Sequence, residues 1–332
     1  MTRNRWTTGM AAAAALALAA PAARAVPIAP GYTVSEIALP DFAAGDVVVV
    51  GDALFVGAGP GFVGGAQSIV RIDAGGTTVV AQGFQGLGGI AYDAANDRLL
   101  VTDNALEAPY ATTGDTVYAI AAPLGAFPVP VAALGSELLP AGALPGIGDI
   151  ELDPADPSGQ TLLATDSVAN QVQRIALTSG SVTALHATSG YAAGLATDGA
   201  TLWFGAVAYD AQFEPDGSVS AVALPGTGAA SLLASGLPGQ YDLELAGDGT
   251  LLATAGGSLV RIDPTTGATT TVATGFGFAT GLFSAGGSIW VLDGGFPGTA
   301  SVYRLTPVPA PAALPFLGAG LVLLVQRARR TS

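Results

Sequence analysis

The sequence predicts an all-β fold, a six-bladed β-propeller of four-stranded blades in which an N-terminal strand closes the last blade. Three in-phase series of short strands carry the prediction. The first opens on a hydrophobic pair: Leu54-Phe55-Val56, Leu99-Leu100-Val101, Leu162-Leu163-Ala164, Leu202-Trp203-Phe204, Leu251-Leu252-Ala253 and Ile289-Trp290-Val291. Five intervals between Leu54 and Ile289 give a mean spacing of 47 residues, the length of a four-stranded blade. The second series follows each of these, as in Ile69-Val70-Arg71-Ile72, Val172-Gln173-Arg174-Ile175, Leu259-Val260-Arg261-Ile262 and Val302-Tyr303-Arg304-Leu305. The third precedes the first, usually after glycine: Gly89-Ile90-Ala91, Gly148-Asp149-Ile150-Glu151, Gly194-Leu195-Ala196 and Gly281-Leu282-Phe283, with Tyr241-Asp242-Leu243-Glu244 in the fifth blade. Asp-Gly, Gly-Gly and Asn-Asp pairs supply the turns.

Taken in chain order, residues 1–25 read as a secretory signal. Arg3 and Arg5 form the basic start, residues 10–20 the apolar stretch, and Ala23-Arg24-Ala25 the small-x-small cleavage pattern. The apolar stretch is shorter than the about 20 residues a spanning helix needs. The propeller follows over 31–306. The strand Tyr32-Thr33-Val34-Ser35-Glu36-Ile37 stands before blade one, while blade six runs out of strands at Leu305, so the two should pair and close the ring. Seven blades is the alternative count. Blade two is long, with extra residues at 105–114 and 123–130.

The tail, 307–332, has three parts: the stiff Val308-Pro309-Ala310-Pro311-Ala312-Ala313, an apolar stretch at 314–325, and Arg327, Arg329 and Arg330. Basic residues after an apolar stretch hold that end on the cytoplasmic side. The tail resembles the PEP-CTERM family of sorting signals, in particular its VPLPA-like variants, except that Ala310 stands where the family usually has Glu. The resemblance implies export in a Gram-negative bacterium, with signal peptidase and an exosortase-type sorting enzyme as partners. It also implies a transient inner-membrane anchor, then release to the cell surface or an extracellular matrix, with an exopolysaccharide or surface protein as the partner there. A plain C-terminal membrane anchor is the alternative.

All 11 basic residues are arginine, and six lie in the two ends. The body keeps five (Arg71, Arg98, Arg174, Arg261, Arg304) against all 25 acids, a net charge of 5 − 25 = −20. That balance excludes nucleic acid as a partner and suits cations. The absence of cysteine excludes disulfides, thiolate zinc sites and thiol catalysis. The single His186 lies in an outer-strand pattern and cannot build a His-rich metal site. No nucleophile motif or phosphate loop is present, and the Gly-rich 57–61 precedes no helix pattern.

The segment Leu163-Ala164-Thr165-Asp166-Ser167-Val168-Ala169-Asn170-Gln171-Val172 resembles an NHL-type repeat, and the body is similar to gluconolactonase-like and streptogramin-lyase-like six-bladed rings. The candidate ligand or metal residues are Asp149, Glu151, Asp242 and Glu244, at matching positions of blades three and five. Strand alternation puts each pair on one side of its strand. If they face the axis, a hard cation such as Ca²⁺ would offset their repulsion. The resemblance to lactonase-like propellers implies one axial divalent metal, although their full ligand set does not match residue by residue. Buried acids that accept backbone N–H groups are the alternative. Asp103, Asp166 and Asp293 read as turn caps. The absence of a nucleophile and base constellation, with the surface address, points to a non-catalytic surface module that binds a partner; a metal-dependent lactonase-like hydrolase or lyase is the alternative.

Overall fold

The computed structural model describes residues 27–309 except 40–42, 44, 60–66, 105–115, 126–128, 135–137, 140–145, 211–213, 227 and 295–298. The first strand in the chain, β1 (Tyr32–Ala38), is the last in the ring. Blade one holds β2 (Val47–Val50), β3 (Ala53–Ala58), β4 (Gln67–Asp73) and β5 (Gly76–Phe84). Blade two holds β6 (Leu87–Asp93), β7 (Arg98–Asp103) and β8 (Thr116–Ala121), followed by the short β9 (Val129–Pro130). Blade three is β10 (Ile147–Leu152), β11 (Thr161–Asp166), β12 (Gln171–Ala176) and β13 (Ser181–Ala187); blade four is β14 (Tyr191–Thr197), β15 (Thr201–Tyr209), β16 (Pro215–Ala223) and β17 (Ser231–Leu237). Blade five is β18 (Leu243–Leu245), β19 (Leu251–Ala255), β20 (Ser258–Ile262) and β21 (Thr269–Thr274); blade six is β22 (Ala279–Ala285), β23 (Ser288–Asp293) and β24 (Ser301–Pro307).

The predicted ring closure is present. β1 pairs antiparallel with β24 from Tyr32↔Pro307 to Ala38↔Ser301, making the sixth sheet β1-β24-β23-β22. The first strands of successive blades neighbour one another around the axis. The next strands out (β3, β7, β11, β19) are buried at almost every position because each sheet is covered on both faces by adjacent blades. That explains sequences such as Leu99-Leu100-Val101, which do not alternate. Leu99 and Val101 pack with Phe55 and Ile69 of blade one, while Leu100 packs with Ile150 and Leu162 of blade three. Each fully buried Leu or Ile contributes on the order of 1.5–3 kcal/mol.

Blade two departs from the four-stranded prediction. Among the described residues it has three strands, and β9 leaves it to pair in parallel with β5, giving blade one a five-stranded sheet. The outer edge of β8 is covered instead by Leu138, whose N–H donates to Val117 O at 2.9 Å, and by Leu139, whose carbonyl accepts from Thr116 Oγ1 at 3.0 Å. The NHL-type turn forms as expected: Asp166 Oδ1 accepts from Val168 N and Ala169 N, and Asn170 takes the left-handed conformation, φ 53°.

Both ends of the chain, on which the signal and sorting expectations rest, fall largely outside the described residues, including Ala23, Ala25, Ala310, Pro311, Ala312, Arg327, Arg329 and Arg330. Val308 and Pro309 are described, and Val308 N donates to Gly31 O at 2.9 Å just beyond β24. No helix among the described residues is long and apolar enough to cross a membrane.

Candidate axial site

The start of the first strand in a blade carries one of two residues, and they alternate around the ring. Blades one, three and five carry Asp46, Asp149 and Asp242; blades two, four and six carry Gly89, Gly194 and Gly281. The glycines are required by close approach. A Cβ on Gly89 would meet Asp149 and Ile150, one on Gly194 would run into Asp242 and Leu243, and one on Gly281 would meet Asp46. Register shifts recur here, between Leu87/Ile90, Ile147/Ile150, Ala192/Leu195 and Ala279/Gly281. A bulge of this kind bends the strand and re-aims the residues within it. The result is a ring of three aspartates on alternate blades, with two glutamates, Glu151 and Glu244, one pleat along the axis.

The aspartates stand between two cavities. The upper one, about 310 Å³, is lined by Asp46, Asp149 and Asp242 together with Tyr191, Tyr241 and Phe278. The lower one, about 230 Å³, is lined by the same three aspartates and by Glu151 and Glu244. All four predicted residues therefore converge. Asp46 was missed at the sequence level, although Gly45-Asp46-Val47 matches Gly148-Asp149-Ile150 and was the signal for it. The aromatic wall was also missed, although Tyr191 and Phe278 each stand three residues before the glycine of their blade, with Tyr241 directly before Asp242.

Hydrogen bonds distinguish these acids. Asp149 Oδ2 accepts from Leu195 N of the next blade at 2.8 Å. Asp242 Oδ1 accepts from Leu243 N at 2.7 Å, and its Oδ2 accepts from Leu282 N of blade six. Glu244 Oε1 accepts from Ser284 N, again of blade six, at 3.0 Å. Asp46 Oδ1 accepts from the adjacent Val47 N at 2.5 Å. Glu151 has no hydrogen-bond donor among the described residues; its electrostatic neighbours are the other four acids. Thr165 and Thr254 fix the strand starts by accepting the N–H groups of Asp149 and Asp242, at 2.8 and 2.9 Å.

Five carboxylates share a space that no basic side chain among the described residues lines. The body arginines are engaged elsewhere: Arg71 with Asp73, Arg98 with Asp93, Arg174 with Asp153, Arg261 with Asp248, and Arg304 over the Trp290 ring at 5.0 Å. Burial therefore pushes the axial acids up. Asp46, Asp149, Glu151 and Asp242 lie well above their usual range, first through desolvation and next through repulsion by Asp149, Asp242, Glu244 and Asp46 respectively. Desolvation brings Glu244 to about 7, against the stabilising N–H of Ser284.

The lactonase-like metal expectation does not fit this arrangement. No group of three or more acids or histidines among the described residues is placed to hold one metal ion. Asp149, Asp242 and Glu244 spend oxygens on backbone N–H groups. The turn-cap expectation holds for Asp166 alone; Asp103 accepts instead from Gln85 N and Gly86 N, and Asp293 from Gly277 N and Phe278 N, so these two hold the segment that leads into the first strand of their own blade. His186 lies on the outer strand β13, its ring 5.2 Å from that of Phe204.

No protein-family model and no curated protein matches the sequence. Many solved structures share the fold. A gluconolactonase from Xanthomonas campestris is 14% identical, with a TM-score of 0.60 over 86% of this chain and 95% of that one. A putative oxidoreductase (glucose dehydrogenase) from Thermus thermophilus is 16% identical, with a TM-score of 0.59 over 83% and 100%. A chain of a nidogen/laminin complex is 15% identical, with a TM-score of 0.53 over 73% and 84%. At these identities the likeness establishes the six-bladed fold.

Proposed function

We propose that this chain is an exported six-bladed propeller that takes a small polar molecule at its axis and performs hydrolase- or lyase-type acid–base chemistry there. The observation that carries the reading is the convergence of five enclosed carboxylates on an open axial cavity with no basic side chain among the described residues to neutralise them. A carboxyl group held near neutral pH, as Glu244 is, suits general acid–base work, because it can give or take a proton at working pH. The gluconolactonase and sugar-dehydrogenase names among the structural neighbours support an enzyme over a passive module. The metal-dependent form of the reading is set aside, since the acids are not placed to grip an ion.

The second reading, a non-catalytic binding module, is favoured by a specific observation. Asp149, Asp242 and Glu244 each tie one blade to the next through a backbone N–H, which is a structural task. A pH-stat assay of lactones, esters and amides in the presence of a chelator separates the two. Chelator-insensitive turnover, reduced about 100-fold in Glu244→Gln, is the expected outcome for a general acid–base residue. Turnover that survives in Glu244→Gln removes Glu244 from the chemistry, and no turnover across the panel leaves the binding module standing.

The address rests on the sequence of the two ends. Cleavage after Ala25, sorting by an exosortase-type enzyme and residence at the cell surface or in a matrix are part of the same proposal, with an exopolysaccharide or surface protein as the neighbouring partner.

A further inference from the structure

We propose that the groove between blade six and blade one binds a free α-amino acid with an apolar side chain. Arg304 of blade six would take its carboxylate and Asp52 of blade one its ammonium, over an apolar floor that includes Trp290. None of the axial acids lines this groove, so the inference stands apart from any reaction on the axis.

A repeating ion pair breaks at this seam. Arg71, Arg174, Arg261 and Arg304 share one register in the third strand of their blades. In blades three and five the partner is an acid in the hairpin between the first two strands: Arg174 pairs with Asp153 at 2.9 Å, and Arg261 with Asp248. Blade six has only Gly286-Gly287 in that hairpin, so Arg304 finds Ser288 Oγ instead, which accepts from its Nε at 3.2 Å. Blade one has the acid, Asp52, but its Arg71 pairs with Asp73 at 3.0 Å. One base and one acid are thus left over, on adjacent blades. No ion pair among the described residues joins them or engages either, yet both line one cavity of about 420 Å³.

The apolar floor is incompletely covered at the same place. The second residue of the hydrophobic pair is Phe55, Leu100, Leu163, Trp203 or Leu252 in the other blades, none more than 5% exposed, whereas Trp290 in blade six is part-exposed. Trp203 packs with Leu245 and Leu251 of the next blade. Trp290 meets Val49 and Leu54 in the matching positions, and valine is one methylene shorter. Trp290 in turn holds the guanidinium over its ring, with Cζ 5.0 Å from the centroid. The two terminal nitrogens of Arg304 donate to no described residue, and a planar guanidinium can grip a carboxylate with both. A lone base and a lone acid above one apolar floor complement a zwitterion with an apolar tail; an ion of one sign would be repelled by one of the two. A peptide interior carries neither charge, so a free amino acid is the class that uses all three features. The cavity falls in the range of about 300–1,000 Å³ usual for small-molecule sites.

Calorimetric titration of the full chain with L-leucine, glycine, N-acetyl-L-leucine and L-leucinamide tests the proposal. One leucine should bind per chain, about tenfold or more tighter than glycine, which lacks the side chain that would cover the floor. It should also bind about tenfold or more tighter than N-acetyl-L-leucine, which has no ammonium, and L-leucinamide, which has no carboxylate. Asp52→Asn and Arg304→Gln should each weaken leucine about tenfold. Asp52→Asn should not weaken N-acetyl-L-leucine further, nor Arg304→Gln L-leucinamide. No heat from leucine up to about 10 mM overturns the proposal. So does a derivative that binds as tightly as leucine, or leucine binding that survives in either variant, which would place it elsewhere on the chain. If Arg304→Gln fails to fold, Asp52→Asn and the comparison of ligands on the parent chain decide, since the exposed Asp52 holds no described partner.

Discussion

Glu244 carries the consequence of placing carboxylates on the axis without a basic partner. Its pKa of about 7, against an ordinary 4.5, means the folded chain holds a proton that the unfolded chain has released. Stability from this group is therefore fully present below about pH 4.5 and is lost as pH rises through about 7. The loss amounts to on the order of 3 kcal/mol, before any relaxation of the site. Asp46, Asp149, Glu151 and Asp242 are raised in the same direction, so their contributions add to the trend. Denaturant melts from pH 5 to pH 8 should show the full chain losing stability across this range, with a shallower loss in Glu244→Gln. A flat profile in the parent chain would mean the axial acids are compensated by something bound.

Strand starts set how closely the blades approach, and the alternation of Asp and Gly shows it. Gly194 lies against the backbone of Asp242 and Leu243, so a methyl group there must push blade four away from blade five. Gly194→Ala should destabilise the chain by about 2–3 kcal/mol, read from the denaturant midpoint, as an overpacked buried site does. Ala at Gly247, where a Cβ meets nothing within 4 Å, is the matched control and should change stability by less than about 0.5 kcal/mol. Much of this layout was legible in the sequence. The in-phase strands give the blade count because both faces of every sheet are buried, and the matched Asp-x-Glu pairs lie where the strands meet the axis. Asp46 escaped notice because it precedes a run of four valines with no glutamate two residues on. The crossing of β9 to β5 was not legible, since a two-residue strand has no alternation to read. The cavity mouth was hidden for another reason. Tyr191, Tyr241 and Phe278 come from three blades, and only the closed ring brings them together.

Closure of the whole ring bears on the fate of its ends. β1 and β24 clasp each other over seven residue pairs, and Glu36 Oε1 accepts from Ser301 Oγ at 2.6 Å and from the Tyr303 hydroxyl at 3.3 Å. The last described backbone bond of the clasp runs from Val308 N to Gly31 O. Cutting the chain before residue 26 and after residue 309 therefore leaves every strand of the ring intact. Export from a Gram-negative host followed by mass spectrometry should return a chain that begins after Ala25 and lacks the arginine cluster. Its melting temperature should match that of the full chain within about 2 °C, because a domain of this size shifts by roughly 2–4 °C per kcal/mol. A chain cut within β1 should behave differently. It would expose the edge of β24, a row of unpaired N–H and C=O groups, and so melt lower and associate through that edge. Retention of the arginine cluster on the exported chain would argue for a plain membrane anchor in place of a removable address.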